Sequence, residues 1–318
     1  MSKKIFITGI AGFVGFHLAL FLKKRGDVVA GCDNFNPYYD PTLKQARAKH
    51  LTQHGILVHD CDIRNAPHIE KSVLDHDTTH FVHLAAQAGV RHSIKHPESY
   101  VQSNLDGFVQ IMEVCRRHPS IKFIYASSSS VYGLNQKVPF SENDPTDRPA
   151  SLYGATKKSN ELMAHAYHHL YGMHVTGLRF FTVYGPWGRP DMAYFSFTEA
   201  ILQGKPIHVY NKGEMKRDFT YIDDIVAGTA AAIDLGAPCE IFNLGNNRPE
   251  EVNNLISIIE ELTGKKAIKQ FLPIQAGDVQ NTYADIAKSQ AQLGFKPKIS
   301  LQEGMRHFVT WYQSFHNG

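Results

Sequence analysis

Only four cysteines occur in the 318 residues, Cys32, Cys61, Cys115 and Cys239, and no two of them form a C-x-x-C pair. That spacing excludes a disulfide framework and a zinc ribbon, and leaves inert thiols in a reducing cytosol as the expectation. No apolar stretch runs unbroken for the ~18 residues a membrane-crossing helix needs, and no signal-peptide pattern precedes the first apolar run. A soluble, cytoplasmic protein is expected. No basic run accompanies the net charge of +3, so the chain lacks the electrostatic footprint of a nucleic-acid binder. Histidine is plentiful, but the two pairs at i, i+4 spacing, His92 with His96 and His165 with His169, have neither an H-E-x-x-H context nor a third ligand. No metal site is expected.

What the chain does carry begins at its first strand. Residues 4–8 form a short β-rich run ending in Gly9-Ile10-Ala11-Gly12-Phe13-Val14-Gly15, and an apolar-periodic helix over 16–25 follows. Strand, glycine turn and helix are the context a dinucleotide site requires, because glycines let the backbone approach a pyrophosphate and the helix start offers free N–H groups. A turn serving only chain reversal is the alternative. The second run, residues 28–32, ends at Asp33, placed to accept hydrogen bonds from an adenosine ribose and to repel a 2′-phosphate. NAD is therefore favoured over NADP. Residues 34–55 read as a polar insertion with a short helix. After a third strand at 56–59, Asp62 either bonds an adenine amino group, with Ile63 against the ring, or is an ordinary loop carboxylate. The fourth strand, 79–84, leaves through small residues, so that Leu84, Ala85 and Ala86 would let a flat cofactor lie against the backbone.

Helix over 98–117, strand over 121–126, helix over 151–171 and strand over 175–180 complete the alternation. The expected fold is α/β, a doubly wound parallel sheet with its ligand crevice at the carboxyl ends of the strands. Beyond residue 181 the pattern changes to turn-rich segments, short strands and helices at 222–235, 249–262 and 301–312. The expectation is a dinucleotide-binding domain over 1–181 and a smaller, partly discontinuous substrate lobe over 182–318, with parts of about 218–245 returning to the main sheet.

Tyr153-Gly154-Ala155-Thr156-Lys157 reads as a proton-transfer device. A phenol of ordinary pKa about 10 is a poor base at neutral pH, and a cation one helical turn along would stabilise its phenolate. On its own, such a pair is most often a packed ring beside a solvated lysine. Ser128, at the end of the fifth strand, strengthens the functional reading.

Taken together and in this order, the glycine turn, Asp33, Ser128, Tyr153 and Lys157 resemble the extended short-chain dehydrogenase/reductase superfamily, in its nucleotide-sugar epimerase and dehydratase branch. The resemblance covers nearly the whole chain. It implies that Tyr153 takes a proton from a sugar hydroxyl while hydride passes to NAD, that Ser128 holds the sugar oxygen, and that Lys157 binds the nicotinamide ribose and tunes Tyr153. Dehydratases of the branch carry an Asp-Glu pair, and decarboxylases a glutamate, where this chain reads Ser129-Ser130 in Ser127-Ser128-Ser129-Ser130-Val131-Tyr132-Gly133. Epimerisation remains. Residues 33–40, 88–91 and 179–191 are most similar to UDP-glucuronate 4-epimerases; UDP-glucose and N-acetylated sugars are the neutral alternatives, and a non-catalytic NAD-binding scaffold the distant one.

Hydroxyls of Ser127, Ser128 or Thr182 are expected to hold the substrate carboxylate, with Ser129 beside them. By resemblance Arg91 and Arg189 pair with the diphosphate or guide the sugar, a surface guanidinium in a loop being the alternative. By resemblance Arg217 and Asp278 fall at the uridine diphosphate, although Asp278 would equally suit a helix cap. The resemblance also implies a homodimer through helices 98–117 and 151–171.

Overall fold

The structure, a computed structural model, describes residues 2–274 and 279–317. Asp278 lies outside the described residues. In the first half, β1 (Lys4–Thr8), β2 (Val28–Asp33), β3 (Leu57–Asp60), β4 (His80–His83), β5 (Lys122–Ser128) and β6 (Val175–Phe180) alternate with helices. These are α1 (Phe13–Lys24), α2 (Thr42–Gln53), α3 (Ala66–Asp75), α4 (Val90–Lys95), α5 (Pro97–Tyr100), α6 (Gly107–Arg117) and α7 (Leu152–Tyr171). Then follow β7 (Thr182–Tyr184), α8 (Ala193–Leu202), β8 (Pro206–Tyr210), β9 (Lys216–Tyr221), α9 (Ile222–Leu235) and β10 (Cys239–Leu244). The chain closes with β11 (Pro249–Glu251), α10 (Val252–Thr263), β12 (Ile268–Leu272), β13 (Asn281–Thr282), α11 (Ala287–Leu293) and α12 (Leu301–Asn317). No helix among the described residues is long and apolar enough to cross a membrane.

Seven strands make one parallel sheet in the order β10-β6-β5-β4-β1-β2-β3. Its central strands carry apolar residues on both faces because helices cover both; Ile5, Phe6, Ile7, Phe81 and Val82 are all fully buried. The strand order reverses between β1 and β4, and this opens a crevice at their carboxyl ends. Gly9 leaves β1 at φ 70, a left-handed conformation in which an added Cβ would strike the Ala85 backbone at 2.8 Å. Ser151 caps α7, its hydroxyl accepting the Gly154 amide at 3.1 Å, and the helix ends on Gly172 at φ 67.

Several elements differ from expectation. The insertion holds a full twelve-residue helix, α2, anchored by buried Leu43, Arg47 and Leu51. The helix expected over 98–117 contains a π-helical segment, Val101–Asp106, which turns Asn104 inward. Residues 249–251, expected to begin a helix, instead pair with β9 as β11. The last helix runs past residue 312 to Asn317.

The smaller sheet, built on β9 with β7, β11 and β13, is joined to the main one through Asp218. Fully buried, its carboxylate accepts the amides of Asn246 (2.5 Å) and Asn247 (3.0 Å) just beyond β10, the Ala284 amide (2.9 Å) and the Thr220 hydroxyl (3.1 Å). Burial pushes this carboxyl up to about 6, against the pull of its donors. Asp218→Ala leaves three buried amides without acceptors, and urea unfolding should show a loss of about 3 kcal/mol. An unchanged midpoint would exclude this role.

Candidate active site

Two cavities meet over the carboxyl end of β5. The first, of about 260 Å³, is lined by Gly9, Gly12, Phe13, Val14, Gly15, Asp33, Ile63, Leu84, Ala85, Ala86, Tyr153 and Lys157, among others. The start of α1 has no side-chain cap, so its first amides stay available to an anion. An added Cβ on Gly15 would lie 2.2 Å from the Gly9 carbonyl, so helix and turn close together only with glycine there. Asp33 is buried beside Lys44, 3.8 Å away, and accepts the Phe35 amide. Its pKa is raised, by burial first, with Lys44 opposing. The crevice thus has the shape and donors for a dinucleotide, with a carboxylate at its ribose end.

Asp62 stands apart. Its carboxylate binds Arg64 (2.9 and 3.1 Å) and Asn34 (3.0 Å), which hold its pKa down to about 2. Cys61 and Ile63, rather than Asp62, line the crevice.

Tyr153 is in hydrogen-bonding contact with Ser128. Burial raises the phenol's pKa; Ser128 and the charge of Arg189 lower it, and Asp191 raises it. Lys157 lies one turn further along α7. Its ammonium, buried and held at about 8 by desolvation, donates to the Ala126 carbonyl at 3.0 Å.

The second cavity, of about 530 Å³, is lined by Arg91, Ser128, Ser129, Ser130, Tyr153, Thr182, Arg189, Asp191 and Arg217, among others. Arg91 lies over the Tyr210 ring at 4.4 Å, and Arg217 donates to the Lys216 and Gln280 carbonyls. Ser127 is different, because its hydroxyl donates to Glu161 at 2.6 Å. That corrects its reading as a substrate donor. Glu161 is in turn held by two bonds of 2.8 Å from Arg179, and both side chains are almost wholly buried.

Three features escaped sequence reasoning. Glu161 lies on the same stripe of α7 as Tyr153 and Lys157, eight and four residues on respectively, a spacing visible in the sequence. Asn104 clamps the segment leaving β4 by exchanging hydrogen bonds with Gln87 (2.8 and 2.9 Å), and it also reaches Thr156 at 3.1 Å. Asp191 grips Arg189 (3.0 and 2.6 Å) and accepts from the Tyr38 hydroxyl (3.0 Å). Among the described residues no cluster of three or more His, Cys, Asp or Glu side chains could hold a metal.

A doubly wound sheet with a crevice suited to a dinucleotide, meeting a serine–tyrosine pair at the mouth of a second cavity, is the arrangement of a nucleotide-dependent enzyme of the α/β class. The chain belongs to the NAD dependent epimerase/dehydratase family, whose model matches residues 5–245. UDP-glucuronate 4-epimerase 3 from Arabidopsis thaliana is 51% identical, over 99% of this chain and 77% of its own length. Among solved structures, the UDP-glucuronic acid 4-epimerase from Bacillus cereus, in complex with UDP-glucuronic acid and NAD, superposes with a TM-score of 0.92 at 36% identity, covering 98% of this chain and all of the other. The UDP-glucose 4-epimerase of Thermotoga maritima gives 0.88 at 31%, covering 98% and 99%.

The charges around Tyr153 make a signed prediction. Arg189→Met should move the rising limb of the pH dependence of bound-NAD reduction, where the phenol loses its proton, to higher pH, and Asp191→Asn should move it lower. Stopped-flow absorbance of NADH reads both; shifts of the same sign would refute the assignment.

Proposed function

We propose that this chain is an NAD-dependent isomerase that interconverts UDP-glucuronate and UDP-galacturonate by oxidising and re-reducing C4 of the sugar. One observation carries the choice of reaction. Among the described residues lining the two cavities, the carboxylates are Asp33 at the ribose end and Asp191, and Asp191 is ion-paired with Arg189. Removing water from C5 and C6 needs an acid and a base, and no uncommitted carboxylate stands beside Ser128 to supply them. Return of hydride to the opposite face of the 4-keto sugar needs only the groups that took it.

NAD, bound along the glycine turn, supplies the hydride acceptor. Tyr153 removes the proton of the C4 hydroxyl, Ser128 holds that oxygen, and Lys157, anchored on the Ala126 carbonyl, would bind the nicotinamide ribose. Gly9, Gly12, Phe13, Val14, Gly15, Leu84, Ala85 and Ala86 form the bed of the dinucleotide, and Asp33 takes its adenosine ribose. Arg91, Arg189 and Arg217 face the sugar-nucleotide side and supply positive charge for a diphosphate.

Oxidation at C4 of a glucuronate makes a β-keto acid, which loses carbon dioxide when its carboxylate stands perpendicular to the ring. The Ser129 and Thr182 hydroxyls, both on the cavity wall, hold that carboxylate nearer the ring plane. The reading extends to a homodimer: Val101 on the π-helical segment and Leu162, Leu170 and Tyr171 on α7 are exposed apolar side chains, and analytical ultracentrifugation tests the pairing. We place the enzyme in the cytoplasm, where the thiols of Cys32, Cys61, Cys115 and Cys239, all free, stay reduced.

Purified protein incubated with UDP-glucuronate and no added NAD should yield UDP-galacturonate by NMR; conversion of UDP-glucose alone would sink the acidic assignment. Tyr153→Phe should retain NAD and lose at least a thousandfold in turnover, on the order expected for a lost general base. Thr182→Ala should raise the proportion of UDP-pentose by-product, and an unchanged proportion would remove Thr182 from the carboxylate grip.

A further inference from the structure

Arg47 is fully buried, yet among the described residues it forms no ion pair. Neutral oxygens alone hold its guanidinium. Nη1 donates to the Ala11 carbonyl at 3.0 Å and to the Tyr39 hydroxyl at 2.9 Å; Nη2 donates to the carbonyls of Trp187 at 2.6 Å and Gly188 at 3.0 Å. Nε has no partner. Burying a cation without a directly paired counter-charge is unfavourable, even with the Asp33 carboxylate near enough to feel its field, so a fold that keeps one there draws some other benefit from it.

The four oxygens come from three places that bear on the site. Ala11 belongs to the glycine turn under the dinucleotide, and Tyr39 to the loop that follows Asp33. Trp187 and Gly188 immediately precede Arg189, on the wall shared by both cavities. Two neighbours fasten the same loop from the same side. His17 on α1 meets the Pro186 carbonyl through Nε2 at 2.9 Å, and the Tyr38 hydroxyl donates to Asp191 at 3.0 Å. Three successive carbonyls, of residues 186, 187 and 188, therefore face donors carried by the nucleotide-binding half.

Trp187 has φ 58, a left-handed conformation that a tryptophan holds only when its surroundings impose it. Its ring is packed by Phe16, Trp311 and Phe315 at centroid distances of 5.3, 5.4 and 5.1 Å. Packing fixes the side chain, and Arg47 fixes the carbonyl. A lysine could not do the same, because one ammonium cannot reach the glycine turn and two loop carbonyls from opposite edges as a planar fork does.

We infer that Arg47 is a positioning residue that couples the dinucleotide turn to the substrate loop: by holding the carbonyls of Trp187 and Gly188 against that of Ala11, it sets Arg189 on the wall that both cavities share with Tyr153. The inference rests on the reading of Arg189 as a contact to the nucleotide sugar. An enzyme that grips its substrate from one half and its cofactor from the other needs the two held in register through a cycle in which the sugar must turn over. Arg47 supplies that register without touching either ligand.

A double-mutant cycle on the full-length protein tests this, with Arg47→Met, Arg189→Met and the double variant. Kd for UDP-glucuronate is read by calorimetry, KM by turnover, and bound NAD per chain after gel filtration. Arg47→Met should raise Kd and KM on the order of tenfold, with a smaller change in kcat, and should lower the NAD retained. In the Arg189→Met background it should change Kd less than about twofold. Multiplying effects, an unchanged Kd or unchanged NAD content would each overturn the coupling. If Arg47→Met is not recovered folded, Arg47→Lys is used in its place, with the same expectation. Binding of UDP-glucuronate without its conversion would sink the proposed reaction and leave the coupling to be decided by Kd and NAD content; conversion with independent effects would sink the coupling alone.

Discussion

Residues 126–128 at the end of β5 present a carbonyl and two hydroxyls to three side chains of one helix. Lys157 takes the Ala126 carbonyl, Glu161 accepts from Ser127, and Tyr153 meets Ser128. Because the three side chains are spaced by four residues, they form one stripe, so the strand end and α7 act as a single rigid edge. Both cavities open onto this edge, and each remaining group in the cleft works by its distance from it. The Glu161–Arg179 pair behind it is buried in full and hydrogen-bonded on both sides, with the Tyr132 hydroxyl completing the arginine's shell at 3.0 Å. A pair of this kind contributes little net stability against an apolar substitute, and its stronger effect is on geometry.

What the sequence made legible was what is local. A strand running into spaced glycines, an acid at the end of the next strand and Tyr-x-x-x-Lys are short patterns whose chemistry depends on neighbours in the chain, and together they pointed to the fold and the family. Arg47 was illegible for the opposite reason. In Thr42–Gln53 it sits among lysines, glutamine and histidine, and reads as a solvated face. Its burial comes from a loop 140 residues further on that offers carbonyls to it. The only hint was that Leu43, Arg47 and Leu51 share a stripe. Lys157 shows the same limit from another side: spacing put it on the tyrosine's face, but which oxygen captured its ammonium depended on the neighbouring strand. Asn104 was hidden by the π-helical segment, which shifts the helix's phase without a sequence mark.

Charge inside this protein follows a consistent division. Where two groups must stay in register with the backbone, an arginine is buried: Arg179 against a carboxylate, Arg47 against carbonyls. At the mouth of the cleft, Arg189 and Asp191 keep about a quarter of their side-chain surface exposed. An ion pair that retains contact with solvent is the easier one for an incoming anion to reorganise, since less desolvation has to be repeated.

The seventh strand of the main sheet, β10, pairs with β6 only after the chain has passed through β7, α8, β8, β9 and α9. During synthesis, then, β6 leaves the ribosome as an open edge with unpaired amides and carbonyls, and stays so until residue 244 is available. The main sheet cannot finish as an independent folding unit ahead of the segment between β7 and α9. A nascent chain interrupted between those points would present a buried-type strand to solvent, which makes that stretch of the molecule the one most in need of protection before it is complete.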